Sequence, residues 1–335
     1  MPEGANSLPE CVRTCYNGMY HLTKGIILMR LMKNILALVL AMITLMSIPA
    51  FAEEPAAELV KQDPLLDTAF SMLEAGNPIL NKYNEITGAD VQVHFEYGLP
   101  YFFGGTYDFM FNGEPLMFSR EPEYARRSCW EQTKFYDKNK LYLYGLDCSG
   151  YTRWIFNEVG WPRHDKLSSM INQYGKYEKN YHVYSHRKGK EMPPYSELAP
   201  TLQLGDLLVA KEGARHVMMF IGTLRDYGYT AETAPELAEY LDYTLVIHSG
   251  PNPEYGARMQ KYLDEHADDS YYKDVNIPNG GVCVSIIGAP VESAPHQVED
   301  SNVLYYYFDL DGYKLTIWDL EAATSFCWFR INGIK

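Results

Sequence analysis

Three side chains in this sequence have types that do covalent chemistry when they meet: Cys148, His216 and His248. A thiolate is a nucleophile. An imidazole can take and return its proton near neutral pH, and a further polar group can hold that imidazole in orientation. Cys148 lies in Leu146-Asp147-Cys148-Ser149-Gly150, ahead of an apolar stripe at Tyr151, Ile155 and Val159. The i, i+4, i+8 spacing predicts a helix, and Gly160-Trp161-Pro162 closes it. Asp147 and Ser149 are helix-start residue types, so the thiol sits in a first turn. There it faces unpaired N–H groups and the positive end of the helix dipole, which favours thiolate. On this stretch alone, a buried and inert cysteine is an equal reading.

The elements that must position the two histidines follow later in the chain. Leu202, Leu204, Leu207 and Val209 approach a strand, and Lys211-Glu212-Gly213-Ala214 turns the chain. His216-Val217-Met218-Met219-Phe220-Ile221-Gly222 returns as a strand apolar enough to be buried on both faces, with His216 at its polar start. Ala231 to Tyr240 reads as a helix, and Tyr243 to Ile247 as a strand ending in His248-Ser249-Gly250. Val282 to Ile287 is another strand. Leu304 to Leu310, Asp311-Gly312 and Tyr313 to Trp318 form a hairpin signal, and Phe326 to Ile331 reads as a last strand. Helices first and strands after predict an α+β fold with an antiparallel sheet.

The start of the chain reads as targeting, not fold. Arg30 and Lys33 precede an apolar run from Ile35 to Ile48, and Ala50-Phe51-Ala52 is a small-x-small cleavage pattern. Residues 29–52 are therefore expected to be a signal peptide and 1–28 an over-extended start. The run is too short for a confident membrane span, so no span is expected after cleavage. An uncleaved anchor is the alternative. Residues 53–94 read as a helical extension, broken at Pro64 and at Gly76-Asn77-Pro78. Residues 95–335 are left as the main domain.

Composition narrows the function classes. The chain has 335 residues and a formal net charge of −14. The first 52 residues carry Arg13, Lys24, Arg30 and Lys33 against Glu3 and Glu10, so the remainder is more acidic still. Such a charge disfavours nucleic acid and anionic membranes as partners. Past residue 52 the cysteines are Cys129, Cys148, Cys283 and Cys327, in spacings that match no zinc pattern. No metal, no cofactor and no disulfide framework are expected.

Four stretches in order resemble the NlpC/P60 family of cell-wall cysteine peptidases. Tyr101-Phe102-Phe103-Gly104-Gly105 is similar to its Tyr-x-Trp-Gly-Gly element, with Phe103 for Trp. Asp147-Cys148-Ser149-Gly150 resembles its nucleophile motif, and Leu204-Gly205-Asp206-Leu207-Leu208 its Gly-Asp-Leu strand entry. His216 to Gly222 resembles its His-Val-Gly-Ile-Tyr-x-Gly strand. The likeness spans roughly residues 95–250. It departs from the family in the long stretch 106–146 before the cysteine and in the 32-residue separation of His216 and His248. Insertions are expected at 106–145, 161–200 and 225–242, the first two as long loops over the site.

The resemblance implies a papain-like core with the nucleophile helix packed on the sheet. It implies Cys148 as nucleophile, His216 as base and acid, and His248 as the group orienting His216. It further implies that Tyr101, Asp147 and Ser149 line a substrate subsite that takes a free amine, whereas Asp206 reads as a structural cap. The expected protein is a secreted, cell-wall-associated endopeptidase acting on peptidoglycan peptides at the D-γ-glutamyl–diamino acid bond. An amidase of the same fold, cutting muramoyl-L-alanine or another amide, is one alternative. A non-catalytic wall-binding protein is the other.

Overall fold

The computed structural model describes residues 62–93, 98–102, 105, 110–111, 114–115, 118–119, 141–143, 145–162, 164, 170, 182–186, 201–210, 215–251, 253–270, 272–276, 280–289, 296–300, 303–318 and 326–331. The expected over-extended start, the signal peptide and most of the expected insertions at 106–145 and 161–200 lie outside them. Contacts divide the chain into Met1–Pro55 and Ala56–Lys335, and all described residues belong to the second unit.

Four helices are described: α1 (Pro64–Phe70), α2 (Pro78–Thr87), α3 (Cys148–Glu158) and α4 (Pro253–Glu265). Pro64 and Pro78 open α1 and α2, each behind a capping side chain. Asp63 accepts from the Leu65 N–H at 2.8 Å, and Asn77 accepts from the Ile79 N–H at 3.0 Å. Read as a break in the sequence, Pro64 is instead the first residue of a helix, where its missing N–H costs nothing. The α1 and α2 faces carry Leu65, Leu66, Phe70, Ile79 and Tyr83 into the same core as α3. The Tyr151 hydroxyl of α3 donates to the Ala69 carbonyl of α1 at 2.7 Å. Helix α3 is buried from Cys148 to Phe156 on every side, beyond the one apolar stripe read from its sequence.

Nine strands form one sheet: β1 (His182–His186), β2 (Leu207–Ala210), β3 (His216–Thr223), β4 (Thr244–Pro251), β5 (Gly280–Ile287), β6 (His296–Asp300), β7 (Val303–Leu310), β8 (Tyr313–Trp318) and β9 (Phe326–Phe329). Their order is β6-β7-β8-β5-β4-β3-β2-β9-β1. With the helices this makes an α+β fold. The pairings are antiparallel, except that β5 and β8 run parallel with Ser285 opposite Thr316. The β7–β8 hairpin turns at Asp311 and Gly312, which take φ of 50° and 82°, the positive values that an Asp-Gly turn supplies.

Three sequence expectations need correction. The helix expected over 231–240 is a set of turns with a short 3-10 helix at Pro235–Leu237. Pro235 cannot donate inside a helix and restricts Ala234 before it. Part of the 161–200 loop is strand β1, paired with β9 on the sheet edge. The strand read as ending near Ile247 runs on through His248 to Pro251, because β5 pairs along its whole length. Helix α4 was not read at all. Among the residues whose burial is described, Met259 and Leu263 face the core.

Asp206 acts as the structural cap expected. Its carboxylate accepts from the Gln203 N–H at 2.8 Å and takes the Arg330 guanidinium at 2.9 and 2.7 Å, tying the chain after β9 to the entry of β2. Asp206 is 1% exposed at its side chain and Arg330 36%. Arg330→Ala strands a buried carboxylate. Breaking a fully buried pair costs roughly 3–5 kcal/mol, and the half-open arginine brings the expected loss to roughly 2 kcal/mol. Urea denaturation measures it, and an unchanged midpoint would refute the clamp.

Candidate active site

Cys148 is the first residue of α3 and is 4% exposed. Asp147 caps that helix, its Oδ1 accepting from the Gly150 N–H at 2.6 Å and from the Ser149 hydroxyl at 3.0 Å. The start of α3 is fixed by two neighbouring chain segments. Segment 98–105 runs beside it. Phe102 N–H donates to the Leu146 carbonyl at 3.4 Å, and Asp147 N–H donates to the Gly105 carbonyl at 3.0 Å. From β4, the Ser249 hydroxyl donates to the Leu146 carbonyl at 2.7 Å. Tyr101 is half-buried, its N–H bonded to the Gly280 carbonyl at 2.8 Å. Tyr101, Asp147 and Ser149 thus border the cysteine. Phe103 and Gly104 lie outside the described residues.

The two histidines are in contact. His216 Nε2 lies 2.9 Å from His248 Nδ1, with the rings nearly perpendicular at 88°. Both are buried, His216 at 4% and His248 at 0% exposure. His248 Nε2 lies 2.9 Å from the Ser285 hydroxyl, which lies 2.5 Å from the Thr316 hydroxyl. Trp318 stacks on His216 with 5.0 Å between centroids and 10° between planes, and meets His248 edge-on. Cys283, opposite His248 on β5, places its sulfur 3.6 Å from His248 Nε2.

Strand geometry explains this cluster. Successive side chains alternate faces, so Val217, Met219 and Ile221 join the core of α3, whereas Met218 and Phe220 join a second cluster with Val246. His216 and His248 share the parity of the second set. Pairing of β3 with β4 starts at Met219 opposite Ile247, so His216 stands before it, near Gly250. A Cβ at Gly250 would sit 2.7 Å from His248 Nδ1 and 2.8 Å from His216 Cε1. Only glycine leaves room there for the paired rings.

Electrostatics corrects one expectation. The helix start was expected to favour a Cys148 thiolate, but the thiol is pushed well up. Burial is the main cause, the Asp147 charge adds to it, and the backbone at Val217, Ser149 and Cys148 offsets only part. Desolvation of a charge in a closed site outweighs a half-charge helix end. Burial likewise drives His216 down to about 3, and His248 well below the ordinary imidazole value, with His216 contributing there. Burial thus favours the neutral thiol and the neutral imidazoles.

Sequence reading found Cys148, His216 and His248. It missed Gly250, Ser285, Thr316 and Trp318. Their signal was present but small. Gly250 falls two residues past His248, on the same strand face. Ser285 and Thr316 are lone hydroxyls inside apolar strands.

A cysteine at the start of a buried helix, beside a sheet that carries a histidine pair, is an α+β arrangement of the papain-like kind. Residues 98–228 match the NlpC/P60 family. The family is one of cell-wall peptidases and amidases, so the segment is that of a hydrolase. No curated protein and no solved structure matches the chain. The family segment holds Cys148 and His216, while His248, Ser285, Thr316 and Trp318 all fall beyond it.

Two measurements follow from the neutral cluster. The unfolded chain binds a proton at His216 below about pH 6.5, and the folded chain does not until about 3. Stability therefore falls as pH drops through that window, by up to about 1.4 kcal/mol per pH unit for each such imidazole. Compared with His216→Gln, the wild type should show the steeper acid loss in denaturation midpoints, and parallel curves would contradict a neutral buried ring. Alkylation of Cys148 by iodoacetamide should rise with pH and show no reactive plateau under mildly acidic conditions. A fast acidic plateau would instead mark a resting thiolate–imidazolium pair.

Proposed function

We propose that this protein is a secreted cysteine endopeptidase that hydrolyses an amide of peptidoglycan stem peptides, the D-γ-glutamyl–diamino acid bond. The observation that carries this reading is the NlpC/P60 match over the segment that holds Cys148 and His216, with His216 paired to His248 at 2.9 Å. With Nε2 of His216 engaged by His248, Nδ1 is the nitrogen left for the thiol. The reading requires the Cys148 sulfur to reach Nδ1 past the Val217 backbone at the start of β3.

In this mechanism Cys148 Sγ bonds to the amide carbonyl carbon while its proton passes to His216 Nδ1. The Cys148 N–H at the helix start helps hold the oxyanion. The C–N bond breaks, and His216 returns the proton to the leaving amine. Water then attacks the thioester, gives its proton to His216, and frees the acid and the thiol. His248 keeps the His216 ring oriented throughout. A substrate ammonium among Tyr101, Asp147 and Ser149 would also neutralise the Asp147 charge that helps hold the thiol up. Substrate binding would thereby ease loss of the Cys148 proton.

Mass spectrometry of muropeptide digests tests the proposal. The expected products carry a new amine on the diamino acid and a new carboxyl on the γ-glutamyl group, and Cys148→Ala forms none. Release of a stem peptide with a new L-alanine amine would identify the amidase of the same fold. Wall fragments bound but uncut by the intact protein would establish a binding role instead.

A further inference from the structure

The hydrogen bonds do not stop at His248. They continue through Ser285 on β5 to Thr316 on β8, both with 0% exposure and both beyond the family segment. The β5–β8 pair is the one parallel pairing in the nine-stranded sheet, and it sets Ser285 directly opposite Thr316. Directionality matters in such a chain, because each neutral imidazole carries one N–H and one lone pair.

Resting on the catalytic reading above, we infer that Ser285 and Thr316 are positioning residues that select the tautomer of both histidines. To accept the thiol proton, His216 must have its lone pair on Nδ1 and its proton on Nε2. That proton is donated to His248 Nδ1, so His248 carries its own proton on Nε2 and donates it to Ser285. Ser285 can accept there only when its own O–H is directed elsewhere, and Thr316 is the acceptor that takes it. All donors then run one way, from His216 to Thr316. If Ser285 turned its O–H toward His248, the order would reverse. His248 would carry its proton on Nδ1, and His216 would be driven to the tautomer whose Nδ1 cannot take a proton. Burial under Trp318 keeps water from repairing a reversed chain.

Nitrogen-15 NMR of the imidazoles tests this in the full protein, with His216→Gln and His248→Gln used to assign the signals. Wild type should show both rings protonated at Nε2. Thr316→Val, which keeps the shape and removes the acceptor, should move His216 and His248 toward the Nδ1–H form. Thr316→Ser should restore the wild-type pattern. On muropeptide substrate, Thr316→Val should lower kcat on the order of tenfold or more with KM little changed. A wild-type His216 protonated at Nδ1, or tautomers unmoved in Thr316→Val, would overturn the inference. Should Thr316→Val not fold, Ser285→Ala provides the same reading: it leaves the His248 N–H only the Cys283 sulfur, a weak acceptor 3.6 Å away, and unchanged tautomers there count equally against the inference. The tautomer result is separate from turnover. The expected NMR pattern in a protein that cuts no muropeptide would retain the relay and remove the proposed hydrolase.

Discussion

The structure depends on burying two imidazoles against each other without charge. Taking a charged ring out of water is costly, so the pair is kept neutral, and each ring must then satisfy its one donor and one acceptor inside the protein. His216 and His248 satisfy each other on one side. That requirement accounts for much of the surrounding sequence. It explains a glycine at 250, where any side chain would enter the rings. It explains hydroxyls at 285 and 316 inside otherwise apolar strands, and an indole laid flat on His216.

How much was legible follows from the range of each signal. The start of α3 was readable because capping and apolar spacing are local. The β7–β8 hairpin was readable because an Asp-Gly turn is two residues long. Cys148, His216 and His248 each allowed a bland reading alone, and were singled out by the order of the motifs that resemble the NlpC/P60 family. The rest was hidden for physical reasons. Ser285 and Thr316 are 31 residues apart and become neighbours only through the parallel β5–β8 pairing, which no local pattern encodes. Helix α4 is a different case: it went unread because the stretch between His248 and Val282 was not searched for a helical period. At 231–240, helical composition was overridden by Pro235.

The corrected state of the thiol has the same origin. A helix N-terminus offers about half a charge, an effect confined to the first turn, and it competes with the full desolvation of a sulfur anion beside the Asp147 carboxylate. Sequence shows the helix end but not the burial. Asp147 serves two ends at once. As the cap of α3 it holds the cysteine in place through the Gly150 N–H, and as a charge it opposes the thiolate.

The family segment does not contain the whole cluster. Residues 98–228 hold Cys148 and His216, and the two tautomers of a neutral imidazole differ in which nitrogen can accept a proton. The far nitrogen of His216 meets His248, which in turn meets Ser285 on β5, itself in contact with Thr316 on β8. Strand β4 links the two halves, because Ser249 reaches back to Leu146 at the start of α3 while its neighbour His248 faces the other way toward Ser285. Adjacent residues of one extended strand necessarily point to opposite faces. One strand therefore holds the start of the helix that carries the sulfur and, one residue away, the ring paired with His216. Any shift of β4 by a single residue would exchange those two roles, so the full-length pairing of β4 with β5 holds the register on which the whole arrangement rests.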